Sequence, residues 1–171
     1  MIYTIILIIA GIIADQVTKK LAVTNLSDIS TYPLIENVLH FTYVENRGAA
    51  FGMLADHRWV FMLLSAAALI AMIVWLIIEK PRSLWTRTSA ALIISGGIGN
   101  MIDRVILGYV VDFIDCRFID FYVFNVADSL VCVGCGMLLV GVIYSEIREM
   151  KNKKSDVSKN SSDADETGAD N

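Results

Sequence analysis

An α-helical integral membrane protein with four transmembrane helices is the fold class that the sequence predicts. Three observations carry that expectation. Of 171 residues, 56% are hydrophobic and the mean hydropathy is +0.59, too apolar for an ordinary soluble domain. One run, Trp59–Ile78, passes twenty residues without a charge, the length a helix needs to cross the hydrocarbon of a bilayer. Three further apolar stretches, at 2–23, 89–107 and 126–144, each carry their charges toward one end.

The formal net charge of −4 does not describe the membrane part. Between Asp156 and Asn171 lie five acids and one base, which account for all of it. That segment is rich in Ser, Asn, Asp and Lys and nearly free of apolar residues. Its composition predicts a disordered tail over 148–171. The short connection Glu79–Thr88 carries Lys80, Arg82 and Arg87, and the flank after the last span carries Arg148, Lys151, Lys153 and Lys154. The positive-inside rule then puts both termini in the cytoplasm. Nothing in the charge pattern calls for nucleic acid.

The first stretch has no basic region before it and no small-residue cleavage site after it, so it is expected to be a span and not a removed signal peptide. Asp15, Thr18 and Lys19 lie at i, i+3 and i+4 on one helix face. The bland reading is an Asp15–Lys19 ion pair that neutralises itself. The functional reading is that the pair braces a polar site beside it, because ionisable groups inside a membrane are costly.

The connection 24–58 is long for so small a protein. Ser27–Tyr32 is polar and is broken by Pro33. Val38–Val44 is aromatic and β-branched and predicts a strand. Asn46 and Gly48 mark a turn. Ala49, Ala50, Phe51 and Met53 form an apolar lip suited to the membrane surface. His40 and His57, the only histidines, stand alone, and no Cys/His spacing fits a metal, so no metal or cofactor is expected. A Ser129–lysine pair would need Lys19 or Lys20 from another span. Cys132 and Cys135 sit in the last span, where small residues let helices approach.

The third span opens at Thr88-Ser89 as a cap and passes Gly96, Gly97 and Gly99. Asn100, Asp103 and Arg104 follow on one face. The simplest account of the last two is mutual neutralisation. The functional account is that Arg104 or Asn100 holds a substrate carbonyl. Gly108 ends the helix. Val110–Asp115 is an apolar run holding Asp112 and Asp115, and Asp115 to Asp120 read as ordinary loop. Asn125-Val-Ala-Asp128 then opens the last span as a variant capping box.

These polar groups converge by counting. The connections 24–58 and 108–125 lie on one side of the membrane, the outer one by charge. Asp15 and Lys19, Asn46, Asn100 to Asp112, and Asn125 to Asp128 all lead into or out of them. Asp112 and Asp128 are therefore read as a catalytic pair. Two carboxyls close together in a poorly solvated place share a proton, so one can take a proton from water while the other donates. Asp103 is the rival to Asp112, but it has a neutralising neighbour in Arg104.

Asp15-Gln-Val-Thr-Lys19, Asn46-Arg-Gly-Ala-Ala-Phe-Gly52, Gly96-Gly-Ile-Gly-Asn-Met-Ile-Asp-Arg104, Val110-Val-Asp-Phe113 and Phe124-Asn-Val-Ala-Asp-Ser129 together resemble the lipoprotein signal peptidase family, also called signal peptidase II. These are aspartyl peptidases of bacterial inner membranes. The resemblance spans Asp15 to about Glu146 and leaves out the tail. It implies four helices with a small β-rich platform outside the membrane. It implies prolipoprotein substrates already bearing diacylglycerol, cleaved just before the lipidated cysteine, and inhibition by globomycin. It puts the catalytic pair on Asp112 and Asp128, substrate contacts on Asn46, Asn100, Arg104 and Asn125, and supporting roles on Asp15, Lys19 and Asp103. A monomer in contact with membrane lipid is expected. The alternatives from other classes are a small proton-coupled transporter and a structural subunit. Against the transporter stand the charge-free span Trp59–Ile78, the clustering of polar groups at one face and the lack of an inverted repeat.

Overall fold

The computed structural model describes residues 1–48, 58–119 and 121–167. The apolar lip at 49–53, His57 and Asp120 lie outside those residues. Four helices are present: α1 (Ile2–Leu26), α2 (Arg58–Glu79), α3 (Leu84–Ile106) and α4 (Val126–Thr167). Three strands accompany them: β1 (Thr31–Ile35), β2 (Leu39–Asn46) and β3 (Val110–Cys116), the last followed by a single 3-10 turn, Arg117–Ile119. All four helices contain stretches long and apolar enough to cross a membrane. Their surfaces have the polarity of lipid-facing helices. Leu63 is 62% exposed and Ile78 69%, whereas Asp15 and Asn125 are fully buried. Apolar side chains outside and polar ones inside suit a bilayer and would be ruinous in water.

α3 is the hub against which α1, α2 and α4 all pack. Its glycines explain how. A methyl group at Gly96 would meet the Ala127 carbonyl of α4, at Gly97 the Leu69 side chain of α2, and at Gly99 the Asp15 carboxylate of α1 at 2.5 Å. Three missing side chains thus admit three neighbouring helices. Toward the other end, Leu76, Ala90 and Ile94 form an apolar cluster with Ile8, Met72 and Ile98.

The strands form one antiparallel sheet in the order β1-β2-β3. It lies at the end of the bundle where α1 finishes and α4 begins, and it is the platform that the family resemblance implied. Leu26 and Ala22 of α1 pack on Val111 and Phe113 of β3, with Phe41 and Tyr43 alongside. The expected strand Val38–Val44 is β2. Its partners were not expected. Pro33 sits within β1, which is tolerated because β1 is an edge strand. Asp115 and Cys116, read from sequence as loop, belong to β3, where the Asp115 carboxylate accepts from Thr42 and Arg117.

Register between β2 and β3 shifts once. Phe41 pairs with Ile114 and Val44 with Asp112, so β2 holds one extra residue. Side chains alternate along a strand, so this bulge changes which face follows it. Val44 shares the face of Asp112, and so does Asn46 two residues on. Without the extra residue, Glu45 would take that face and Asn46 would turn away.

Two helix boundaries differ from expectation. α3 starts at Leu84 because the Ser83 side chain accepts from the Thr86 N–H at 3.4 Å. Thr88 and Ser89 are interior, and Ser89 Oγ bonds back to the Trp85 carbonyl at 2.8 Å. The far end is as expected: Gly108, at φ 84°, closes the turn after α3. α4 continues as helix to Thr167, through the stretch whose composition predicts disorder. Glu146, Arg148, Glu149, Met150 and Lys151 are good helix formers, and a helix extends one hydrogen bond per residue once started.

Substituting Gly99→Ala should lower stability by about 1–3 kcal/mol, because α1 and α3 must part to admit the methyl group. Gly136→Ala, where nothing lies within reach, should not. Thermal unfolding of the two variants in detergent checks the contrast.

Candidate active site

The side chains read from sequence as candidate site residues, Asp15, Lys19, Asn46, Asn100, Asp103, Arg104, Asp112, Asn125 and Asp128, lie at the sheet end of the bundle. α1 supplies Asp15, Gln16 and Lys19. Lys19 Nζ reaches Asp15 Oδ2 at 2.9 Å, Asp103 Oδ2 at 3.0 Å and Asn100 Oδ1 at 2.8 Å, which uses all three of its N–H groups. This cluster corrects the expected Asp103–Arg104 pair. The Asp103 carboxylate is taken by Lys19, by Gln16 at 3.0 Å and by the Val111 N–H at 3.1 Å. Arg104, next in the chain, is turned by the helix to another side. Its Nη1 donates to the Asn100 carbonyl at 3.3 Å, and the acids whose charge acts on it most are Asp128 and Asp112. A small depression beside it is lined by Asn46, Gly48, Met62 and Tyr109.

The start of α4 is the second centre. Asn125 Oδ1 accepts from the Asp128 N–H at 3.0 Å, and Asp128 Oδ2 accepts from the Asn125 N–H at 3.2 Å. This is the reciprocal capping box expected from the sequence. Asp15 Oδ1 takes the Ala127 N–H at 2.9 Å. Carboxylates here also meet the positive end of the helix dipole. Capping does not exhaust Asp128, because its Oδ1 accepts from Asn100 Nδ2 at 2.7 Å.

Asp112 arrives from β3. Asn125 Nδ2 donates to its Oδ1 at 2.6 Å, and Asn46 Nδ2 to its Oδ2 at 2.9 Å. Asn125 therefore touches both aspartates, its NH2 on Asp112 and its backbone on Asp128. The expected constellation is assembled: Asn46, Asn100, Asn125, Asp112 and Asp128 form one hydrogen-bonded network, with Asp15, Lys19 and Asp103 directly behind it. Burial pushes the Asp112 carboxyl up to about 6, and the charge of Asp128 adds to the rise against the amide donors. A carboxyl pair of this kind, with one member keeping its proton up to about pH 6, has the parts for acid–base chemistry. A Ser129–lysine pair does not form. Ser129 Oγ donates to the Asn125 carbonyl and Lys19 is fully committed.

Comparison with known proteins gives this geometry a family. The model of the family described as Signal peptidase (SPase) II matches residues 7–144. The chain belongs to the signal peptidase II family. Among its relatives is the lipoprotein signal peptidase of Clostridioides difficile (strain 630), 46% identical over 146 residues, which span 85% of this chain and 97% of the relative. That of Caldanaerobacter subterraneus is 47% identical over 134 residues, covering 78% and 91%. Two solved structures described as bacterial membrane enzymes superpose with TM-scores of 0.79 and 0.76, at 31% and 32% identity. They cover 85% and 83% of this chain and 90% and 93% of their own. The protein is thus a multi-pass membrane peptidase of signal peptidase II type, and the transporter reading is left without support.

Sequence reading missed Gln16. Its Nε2 lies 3.2 Å from Asp15 Oδ2, 3.2 Å from the Gly99 carbonyl and 3.0 Å from Asp103 Oδ1. The available signal was an amide in an apolar helix next to an acid already marked as unusual.

The folded protein holds the Asp112 proton to higher pH than the unfolded chain does, so this group costs stability as pH rises from about 4 to about 6. Infrared difference spectra over that range should carry a protonated-carboxyl band that fades with a midpoint near 6 and is missing from Asp112→Asn.

Proposed function

We propose that this peptidase removes the signal peptides of diacylglyceryl-modified prolipoproteins, cutting just before the lipidated cysteine, and that Asp112 and Asp128 do the chemistry. One observation carries the assignment. A single buried residue, Asn125, links the two carboxyls, its side-chain NH2 on Asp112 and its backbone N–H on Asp128, and each carboxyl oxygen of both already accepts one N–H donor.

In the proposed reaction the ionised aspartate takes a proton from water as the oxygen attacks the scissile carbonyl carbon. The protonated aspartate gives its proton to the carbonyl oxygen. Collapse of the tetrahedral adduct breaks the C–N bond, and the leaving amine takes up the first proton. A hydroxyl of the collapsing adduct returns a proton to the second aspartate, so the pair again holds one proton, and the carboxylic acid so formed ionises as the new amine of the lipoprotein becomes an ammonium. No covalent intermediate is needed. Arg104 lies beside the depression near Asn46. Its fixed fork of donors suits a substrate carbonyl, and the amides of Asn46, Asn100 and Asn125 orient substrate and acids together.

The sheet end of the bundle faces the outside in this reading, with both termini cytoplasmic. Acyl chains on the substrate cysteine would stay in the outer leaflet while the peptide bond reaches carboxyls at the ends of α1, α3 and α4. The charge bias of Lys80, Arg82 and Arg148 to Lys154 supports this orientation. Globomycin, which the resemblance implies as an inhibitor, would compete for the same place, and one chain carries the whole pair.

Asp112→Asn and Asp128→Asn keep the size of each side chain and one of its two acceptors, so both proteins should fold. Each should lose 100-fold or more in kcat, about the contribution of a positioned proton-transfer group. A fluorogenic diacylglyceryl prolipoprotein peptide in detergent reads this. Full activity in either folded variant would remove that aspartate from the pair.

A further inference from the structure

A carboxamide has an acceptor on one side and two donors on the other, and only its partners decide which way it sits. Three amides face the two aspartates. Each has its oxygen taken by a group that can only donate. Asn46 Oδ1 accepts from the Gly48 N–H at 3.1 Å, and Asn125 Oδ1 from the Asp128 N–H at 3.0 Å. Both are local turns. Asn100 Oδ1 accepts from Lys19 Nζ at 2.8 Å, a contact that reaches across from α1, and also from Asn125 Nδ2 at 3.2 Å. Turned over, Asn100 would set its NH2 against an ammonium and its oxygen against a carboxylate.

We propose that Lys19 is a positioning residue of the peptidase: by holding Asn100 Oδ1 it keeps the Asn100 NH2, and not its oxygen, on the Asp128 carboxyl of the pair. This rests on the reading of Asp112 and Asp128 as the catalytic pair. The anchors of Lys19 suit the role. Asp15 also binds the Ala127 N–H, and Asp103 the Val111 N–H. Each anchor therefore grips the backbone one residue before a catalytic aspartate. The ammonium is fixed relative to both acids at once, and Gln16 closes the cluster by bonding both anchors.

The charged groups around Asp128 are Asp112 from β3, Arg104 and Asp103 from α3, and Asp15 and Lys19 from α1. Removing Lys19 changes both a charge and an amide orientation, so the test must separate them. In Lys19→Met the freed amide no longer holds its donor on Asp128. The acid limb of the kcat–pH profile should move up by about one unit, with kcat down at least tenfold at neutral pH. In Asn100→Leu the charge stays and only the donor goes, and the same upward movement is expected. In the double variant Lys19→Met should add nothing further to it, because Lys19 acts through Asn100. An unmoved acid limb in Asn100→Leu would overturn the proposal even if no Lys19 variant folds. So would additive shifts, which would mean that Lys19 acts by charge alone. Activity in Asp112→Asn or Asp128→Asn would instead defeat the underlying reading of the pair.

Discussion

A lysine buried between two aspartates, in a chain built to sit in lipid, is the constraint from which the site follows. Lys19, Asp15 and Asp103 cannot be left singly charged inside the bundle, because breaking such a group would strand an uncompensated charge at a cost of about 3–5 kcal/mol. Together they tie α1 to α3. Through the Ala127 and Val111 N–H groups they also tie that pair of helices to the start of α4 and to β3. Asp128 and Asp112 are the next residues along those two elements. Two acids distant in sequence are thus brought to one place by a cluster that takes no direct part in the proposed chemistry.

Backbone geometry completes what the ions begin. Gly99 lets Asp15 approach α3, and Gly96 lets the first turn of α4 do the same. The bulge in β2 turns Asn46 onto the face of Asp112. Small departures from regular structure sit next to the acids, where a side chain must be re-aimed. The same crowding at Asp112 displaces water, and the resulting loss of solvation keeps a carboxyl protonated at a pH where an exposed one would not be.

Much of this could be read in the sequence, because the membrane makes polarity informative. Charges at the ends of apolar runs marked Asp15, Lys19, Asp103, Asp112 and Asp128, and the connectivity put them on one side. The capping box at Asn125–Asp128 was also legible, and it turned out to coexist with a place in the polar network. What the sequence could not carry was pairing. Chain neighbours Asp103 and Arg104 looked like partners, but successive residues on a helix point about 100° apart, and the true partner of Asp103 comes from α1. β1 and most of β3 escaped notice because a proline and two acids obscure the alternation, while their cross-strand partners lie far along the chain. Gln16 escaped because two of its three partners, the Gly99 carbonyl and the Asp103 carboxylate, lie on α3, far along the chain.

Direct hydrolysis of a lipid-modified prolipoprotein by the aspartate pair is the step on which the proposed function turns. The most direct measurement is mass spectrometry of the products formed by the purified protein from a prolipoprotein with and without its diacylglycerol, in the presence of hydroxylamine. Direct hydrolysis should give a signal peptide ending in a free carboxylate at the bond before the modified cysteine, from the lipidated form alone, with no hydroxamate. A hydroxamate would reveal an acyl-enzyme and contradict the aspartate mechanism. Equal cleavage of the unlipidated form would contradict the assigned substrate.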